Sequence, residues 1–359
     1  MCYVFQSLKA NRLLNEGDTI ALGTPIFTPY LEIPRLEDFG FEVVEVAASA
    51  TADGVHLWQY PDAELDKLLD PKVKAFFIVN PSNPPSVAMA EASRRKLAAM
   101  VRERRPDLLV LTDDVYATFV PGFRSIAADL PHNTIVVYSF SKHFGCTGWR
   151  LGVIGLHEHN VLDARVRRFA PEIHAELDAR YSPLTDDSGS LRCIDRMVAD
   201  SRMVALNHTA GLSPPQQVQM ALFALFGLQP GGLAYKERCR GLVKRRLALL
   251  ARGLGVEVPE IPLRAGYYVD IDLQPWGLKH FGPAFDAYVQ SHYAPLEIVL
   301  ELARHYGIVL LNGSGFDGPP WSVRVSLANL ATEDYEAIGL ALHDVARRVV
   351  EAWRRDSAH

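Results

Sequence analysis

The chain has 359 residues, a hydrophobic content of 48%, a charged content of 22% and a formal net charge of −5. This balance is typical of a globular protein with a large core, and the length suggests roughly two domains. Because there is no basic excess, the composition argues against nucleic acid or an anionic membrane surface as a partner. The amino terminus lacks the basic and apolar segments of a signal peptide, so we expect a cytoplasmic protein.

The first two thirds of the chain alternate short apolar runs with amphipathic stretches, which is typical of an α/β protein. Runs rich in Val, Ile and Leu without polar alternation predict strands buried on both faces of a parallel or mixed sheet. A helix is predicted over Ala90–Arg105. The predicted strands are Thr19–Gly23, Val43–Ala47, Val73–Val79, Leu108–Thr112, Thr134–Ser139 and Leu151–Leu156.

The remaining third begins after a Gly- and Pro-rich break at Gly227–Gly232, where we place a domain boundary. The prediction is therefore a large domain over 1–228 and a small α+β domain over 229–359. Thr332 is predicted to cap the last helix, since acidic residues follow it directly. The predicted elements of the small domain are a helix at Tyr235–Arg252, strands near Tyr267–Leu273, Ile308–Leu311 and Val323–Ser326, and a helix from Glu333 to Arg355.

Cysteine and histidine spacing indicates neither disulfides nor a metal centre. The four cysteines are scattered without a C-x-x-C pair, so free thiols are expected. No histidine pair has the H-E-x-x-H spacing of a zinc site. Gly313-Ser-Gly-Phe-Asp-Gly318 has the form of a dinucleotide fingerprint, but prolines follow it where that fingerprint requires a helix. We interpret it as a flexible loop near the substrate.

Polar residues follow three of the predicted strands. In open α/β sheets ligands bind beyond the carboxyl ends of the strands, so these residues are expected to converge on one crevice. Lys142 lies in Ser139-Phe-Ser-Lys142, where partial removal from water favours the neutral, nucleophilic amine. Arg150 follows and offers a planar group suited to a phosphate. Most lysines are simply solvated, but these neighbours favour a reactive one.

The other two strand ends supply acidic, phenolic and amide groups. Asp113 can pair with a protonated pyridine nitrogen, and Tyr116 can donate to a phenolic oxygen. Either Asp113 or Asp114 could instead cap a helix, and for Asp114 we favour that interpretation. Asn83 lies among prolines, where a plain turn is the simpler explanation, but its amide is also suited to a ring hydroxyl.

Together these motifs resemble the fold-type I, class I/II aminotransferases that use pyridoxal 5′-phosphate (PLP). The resemblance is closer still to the bacterial aspartate 4-decarboxylases, which also transaminate aspartate. It implies a mostly parallel sheet between helices, a smaller carboxyl-terminal domain and a homodimer or larger homo-oligomer. The stretches that carry the resemblance are GTPIFTPYLEIP, VNPSNPPSV, LTDDVY, YSFSKHFGCTGWRLGV, ADSRMVALNHTAGLSPPQQVQMALF and VSLANL.

The resemblance implies a role for each of nine residues. Lys142 would be the catalytic lysine that attaches the cofactor as a Schiff base, and Arg324 would grip the substrate α-carboxylate. Arg324 could otherwise be a solvated arginine at a strand edge. The implied cofactor contacts are Asp113 to the ring nitrogen, Tyr116 and Asn83 to the ring hydroxyl, Phe27 against the ring face, and Ser139, Ser141 and Arg150 to the phosphate.

Two departures from the family pattern matter. The family has a phosphate-binding glycine-threonine turn just before the position of Met1, so we expect a chain that is truncated relative to the family. Ser86 stands where most aminotransferases have glycine, a change that the decarboxylase group shares. Three hypotheses follow: decarboxylation of L-aspartate to L-alanine with side transamination, transamination of another amino acid, or an incompetent fragment.

Overall fold

A six-stranded sheet forms the centre of the larger part of the chain in our computed structural model, which describes residues 1–52, 55–203, 211–257 and 261–358. Its strand order is β2-β1-β5-β6-β7-β8, and all neighbours are parallel except β7 and β8. The strands are β1 Thr19–Thr24, β2 Glu42–Ala47, β3 Thr51–Ala52, β4 Val55–His56, β5 Val73–Val79, β6 Leu109–Asp113, β7 Thr134–Ser139, β8 Gly152–Leu156, β9 Tyr268–Asp272, β10 Leu311–Asn312 and β11 Ser322–Ser326.

Helices cover this sheet and a second, smaller one. The second sheet is antiparallel, with the order β10-β11-β9. None of the described helices is long and apolar enough to cross a lipid bilayer. The helices are α1 Cys2–Ala10, α2 Thr28–Glu32, α3 Asp62–Asp66, α4 Glu91–Glu103, α5 Val161–Val166, α6 Pro171–Tyr181, α7 Cys193–Arg202, α8 Pro214–Gly227, α9 Pro230–Leu254, α10 Leu273–Phe281, α11 Pro283–His292, α12 Pro295–Tyr306 and α13 Asp334–Asp356.

The fold prediction of a mixed, mostly parallel sheet between helices is confirmed, and a separate, smaller antiparallel sheet lies in the part of the chain for which α+β structure was predicted. Every residue of β6 is buried, which explains why its sequence shows no polar alternation. β5 and β7 begin and end at the predicted residues. The sequence stretch that begins ALNHTAG lies partly outside the described residues, because 204–210 are not among them. The division into domains at 228 stays a prediction.

Two local predictions in the small sheet region are wrong. The strand expected at Ile308–Leu311 is instead Leu311–Asn312, where pairing with β11 begins. Thr332 does not cap α13; its hydroxyl accepts a hydrogen bond from Arg246 Nε at 3.3 Å. Arg246 lies on α9, so the hydroxyl of Thr332 binds a residue distant in sequence instead of the backbone at the start of α13.

Close packing of α9 against α13 supports the second sheet. At Gly253 a Cβ atom would lie 2.2 Å from the carbonyl oxygen of Glu336, and at Gly339 one would lie 2.2 Å from that of Leu250. Only glycine permits this approach of two helix backbones. The two helices therefore contact each other through backbone atoms, which fixes the surface on which β9 and β11 lie.

A buried polar network joins α1, α6 and α7. The carboxylate of Asp200 accepts hydrogen bonds from Ser7 at 2.5 Å, Asn11 at 3.0 Å and the Tyr181 hydroxyl at 3.0 Å. Arg180 adds two further bonds to the same carboxylate, at 2.8 and 3.0 Å. The network satisfies polar groups that the apolar core could not, so it fixes how the three helices pack.

We expect Asp200→Ala to lower the free energy of unfolding by about 3–5 kcal/mol, because it leaves several buried donors unpaired. Denaturant unfolding measures the loss. Glu176→Ala is the matched control, since it removes the ion pair with Arg12 in which both side chains are at least half exposed. That variant should lose no more than about 1 kcal/mol. Equal losses in the two variants would contradict the role given to the network.

Candidate active site

The carboxyl ends of β5, β6 and β7 bring the predicted lysine, acid and amide to one edge of the sheet. β6 ends at Asp113, between the neighbours β5 and β7, so Asn83 and Lys142 follow on either side of it. Lys142 is half-buried in the turn after β7, and its Nζ lies 5.7 Å from the centre of the Tyr267 ring. The ring is therefore close enough to the amine for a cation–π contact.

Asp113 is buried and holds two hydrogen bonds. The Tyr30 hydroxyl donates to Oδ2 at 2.6 Å, and the Val115 backbone N–H donates to Oδ1 at 3.1 Å. Burial raises the pKa of Asp113, while these two bonds and the charge of Lys142 lower it in part. Each carboxylate oxygen retains a second lone pair, so Asp113 can still accept a proton-bearing ring nitrogen.

Asn83 links the cofactor side of the site to the predicted substrate side. Its Nδ2 lies 3.4 Å from the Tyr116 hydroxyl, and its Oδ1 accepts a hydrogen bond from Arg324 Nη1 at 3.0 Å. Burial and the neighbouring Tyr268 raise the pKa of Tyr116 well above its usual range, so the phenol keeps its proton. The phenol can therefore act as a hydrogen-bond donor to a ligand oxygen.

Two aromatic rings enclose the guanidinium of Arg324. Its Cζ lies 4.2 Å from the centre of the Tyr268 ring and 4.7 Å from that of Phe316. Contact with two ring faces and the bond to Asn83 hold the planar group in one orientation. Phe316 belongs to the glycine-rich stretch after β10, which is followed by a strand rather than a helix.

The predicted phosphate ligands lie at the junction of β7 and β8. Ser139 Oγ lies 2.8 Å from Ser141 Oγ and accepts the Ser141 backbone N–H at 3.2 Å. Ser139 pairs with Gly152 in the sheet, so the nearby Arg150 reaches the same end of β7. Arg150 is exposed and has a left-handed backbone with φ of 56°. Two hydroxyls and a guanidinium form a donor set that suits a phosphate dianion.

Phe27 lies between β1 and α2, on the side of Asp113 that Tyr30 occupies. Its ring is 37% exposed and meets Tyr30 edge to face, with the ring centres 5.4 Å apart. The Ile26 N–H donates to the carbonyl oxygen of Phe316, at 2.9 Å, which ties this segment to the loop beside Arg324. An exposed aromatic face at this place can cover a planar ligand.

Sequence reasoning missed Tyr30, Tyr268 and Phe316, and it misjudged Asp114. The one signal for Tyr30 in the sequence is that it is a second aromatic residue, three positions after Phe27. Asp114 does not cap a helix with its side chain; it accepts the Thr112 hydroxyl at 2.6 Å. Burial raises the pKa of Asp114 to about 6. Thr112 belongs to β6 and Asp114 directly follows the last residue of this strand, so the acid binds back to the strand end rather than to a following helix.

Asp270, whose two carboxylate oxygens are buried, lies opposite Arg324 in the register of β9 and β11. Burial, and to a smaller extent the charge of Asp272, raise the pKa of Asp270 to about 7, although Ser322, His56 and Arg324 act to lower it. The folded chain therefore binds a proton here at pH values where the unfolded chain, with an aspartate pKa near 4, has released it.

We expect stability to fall as the pH rises from about 4 to about 7, by up to about 4 kcal/mol from Asp270 alone. Asp270→Asn should remove this part of the slope and be the more stable protein at pH 8. Denaturant unfolding from pH 4 to pH 8 measures the difference. Asp186→Asn changes an exposed aspartate and serves as the control. An unchanged slope in Asp270→Asn would show that the acid titrates as a solvated one.

Comparisons with known proteins show what this chain is similar to. The family model described as aminotransferase class I and II matches residues 7–339. A bifunctional aspartate aminotransferase and L-aspartate beta-decarboxylase from Pseudomonas is 49% identical over 354 residues, which are 99% of this chain and 66% of that protein. An aspartate/prephenate aminotransferase from Nitrosomonas europaea is 35% identical over 40% of this chain and 36% of its own length.

Solved aminotransferases share the fold. Thermus thermophilus aspartate aminotransferase with maleate aligns over 96% of this chain and 73% of its own, with a TM-score of 0.60 and 20% identity. The aromatic aminotransferase from Pyrococcus horikoshii aligns over 97% of this chain and 78% of its own, with a TM-score of 0.62 and 20% identity. The chain spans just under two thirds of the length of its Pseudomonas relative.

The cofactor of this family, PLP, fits the residue types at this edge of the sheet. The amine suits the aldehyde of PLP, and the buried carboxylate suits the ring nitrogen. The amide and the phenol suit the ring hydroxyl, and the two hydroxyls with the guanidinium suit the phosphate. All of them lie at one edge of the sheet. The fold, this set of groups and the match over residues 7–339 agree, and the chain belongs to the PLP-dependent class I and II aminotransferase family.

Proposed function

We propose that this protein removes the β-carboxylate of L-aspartate as CO2 to give L-alanine, with transamination of aspartate as a side reaction. The observation that carries the proposal is the 3.0 Å bond between Arg324 and Asn83, which joins a group suited to a substrate carboxylate to the groups suited to the cofactor. The choice of aspartate is supported by the name of the Pseudomonas relative.

Each residue has a defined task in this proposal. Arg324 binds the α-carboxylate, and Asn83 with Tyr116 binds the ring hydroxyl of the cofactor. Lys142 attaches the cofactor before the substrate arrives and then moves the proton at the substrate Cα. Asp113 holds the proton of the ring nitrogen, and its burial keeps water from competing for that proton. Bound PLP supplies an electron sink.

The atoms balance without an oxidant. The bond between Cβ and the β-carboxylate carbon breaks, the carboxylate leaves as CO2, and its electron pair takes up a proton at Cβ. The net reaction converts aspartate and one proton into alanine and CO2. Transamination needs a keto acid as the second substrate, because the amino group must leave the enzyme before another turnover.

The deciding experiment incubates the protein with PLP and L-aspartate without any keto acid. We expect CO2 and L-alanine in equal amounts. If only added 2-oxoglutarate permits turnover, giving glutamate and oxaloacetate, the protein is an aminotransferase and the decarboxylase proposal is wrong. If no PLP-dependent absorbance forms with excess cofactor, the hypothesis of an incompetent fragment replaces both.

We further propose that the protein acts as a homodimer or larger homo-oligomer. Support comes from α8, which has no buried residue although most of its side chains are apolar. The exposed side chains of this surface include Trp149, Leu222, Leu225 and Leu228. An apolar surface of this kind marks an interaction site. Sedimentation equilibrium tests the proposal, and a monomer at micromolar concentration would contradict it. The cytoplasmic location stays a prediction.

A further inference from the structure

Ser86 is fully buried and has a left-handed backbone, with φ of +60°. An L residue with a side chain rarely adopts this conformation, and glycine adopts it without strain. The side chain must therefore contribute something that glycine cannot. Its Oγ accepts the backbone N–H groups of Tyr267 at 3.1 Å and Tyr268 at 3.4 Å.

These two bonds extend a short antiparallel contact between the Asn83 loop and the small sheet. The Ala265 N–H donates to the Ser86 carbonyl at 2.7 Å, and Val87 forms a bridge with Arg264. The Ala88 N–H donates to the carbonyl of Leu263 at 2.9 Å. Beyond Ala265 the chain turns away, and the Ser86 hydroxyl is the group that reaches the start of β9.

Tyr268 connects this hydroxyl to the predicted substrate site. Its backbone N–H is bound by Ser86, and its ring lies under Arg324 at 4.2 Å. Arg324 in turn donates to Asn83, three residues before Ser86. The loop therefore contacts Arg324 in two ways. Asn83 binds it directly, and Ser86 acts on it indirectly by binding Tyr268, whose ring packs against the guanidinium.

We propose that Ser86 is a positioning residue, whose hydroxyl holds Tyr268 so that its ring orients Arg324 toward the substrate carboxylate. This inference rests on the proposed function for the identity of the substrate, but not for the contact itself. Ser86 touches neither substrate nor cofactor in this role. It acts on the affinity for carboxylates rather than on attachment of the cofactor to Lys142.

The test uses Ser86→Ala, with Ser82→Ala as the matched control. Ser82 is also buried in this loop, but among the described residues its hydroxyl bonds only to Val87, so its loss removes no bond to β9. Hydrogen–deuterium exchange of the peptide covering residues 265–272 is measured first, without ligand. Exchange at Tyr267 and Tyr268 should be roughly five- to tenfold faster in Ser86→Ala and unchanged in Ser82→Ala.

The second measurement is the affinity of PLP-loaded protein for maleate, a dicarboxylate without an amine, by calorimetry. Ser86→Ala should bind maleate roughly three- to tenfold more weakly, with cofactor absorbance unchanged, and Ser82→Ala should match the parent. Ser86→Gly keeps the left-handed backbone without strain, so it should show the same two changes while its thermal stability is retained. A purely structural role would lower stability without weakening maleate binding.

Two results would overturn the proposal. Unchanged exchange at Tyr267 and Tyr268 would show that the hydroxyl does not hold the strand, and unchanged maleate affinity despite faster exchange would show that the strand does not orient Arg324. If the parent protein neither binds PLP nor maleate, the proposed function fails, and the exchange measurement still decides whether Ser86 holds β9.

Discussion

Lys142→Ala should abolish the PLP-dependent absorbance and lower kcat for aspartate by at least about a thousandfold. The lysine is the amine at the end of β7 that can both attach the cofactor and move the substrate proton, and loss of such a group costs roughly 10²–10⁴ in rate for the proton transfer alone. Absorbance titration with PLP and a CO2 assay measure the two effects.

Lys244→Ala is the control for this prediction. Lys244 is exposed on α9, and it is far along the chain from Lys142. It should bind PLP and turn over like the parent. Retention of the full cofactor absorbance by Lys142→Ala, with the protein folded, would show that another amine attaches the cofactor.

Asp113→Asn should lower kcat by about 10²–10³ while the protein still takes up PLP. An amide cannot balance a positive charge on the ring nitrogen, and loss of one preorganised electrostatic partner has a cost of this size. Folding should not suffer, because burial already raises the pKa of Asp113 and so disfavours its charge. Steady-state kinetics and thermal unfolding test the two statements.

Asp114→Asn provides the comparison that assigns the role to one acid. Asp114 is equally buried and adjacent, but its carboxylate is bound to the Thr112 hydroxyl. We expect a loss of kcat below about tenfold in this variant, and the same limit for Tyr30→Phe, which removes one neutral donor from Asp113. If Asp114→Asn lost more activity than Asp113→Asn, the two roles would have to be exchanged.

The positions of the strand ends could be predicted from the sequence, because they depend on residues that are neighbours along the chain. The apolar runs that became β5, β6 and β7 are local patterns, and a parallel sheet places their carboxyl ends together whatever the surrounding helices do. The nearby positions of Asn83, Asp113 and Lys142 therefore follow from three short segments. Their chemical roles are those that the family resemblance implies.

The hydrogen-bond partners of these residues could not be predicted in the same way. Tyr30 and Asp113 are separated by 83 positions, and Asn83 and Arg324 by 241. A side chain finds such a partner through the packing of whole elements, which no local pattern encodes. The failure at Thr332 has the same origin, because its hydroxyl binds Arg246, 86 positions away. The failure at Asp114 has another, since its partner Thr112 is only two positions away and competes locally with a helix cap.

By itself the sequence determined the class of fold, the order of the strands along the chain, and the polar groups at their ends, because periodicity and turn residues act over short distances. Only the tertiary structure decided how those groups are held: Asp113 by Tyr30, and Arg324 between Tyr268 and Phe316. It also decided that Ser86, at a backbone conformation suited to glycine, bonds to β9. These contacts depend on distance in space, and burial gives them their strength.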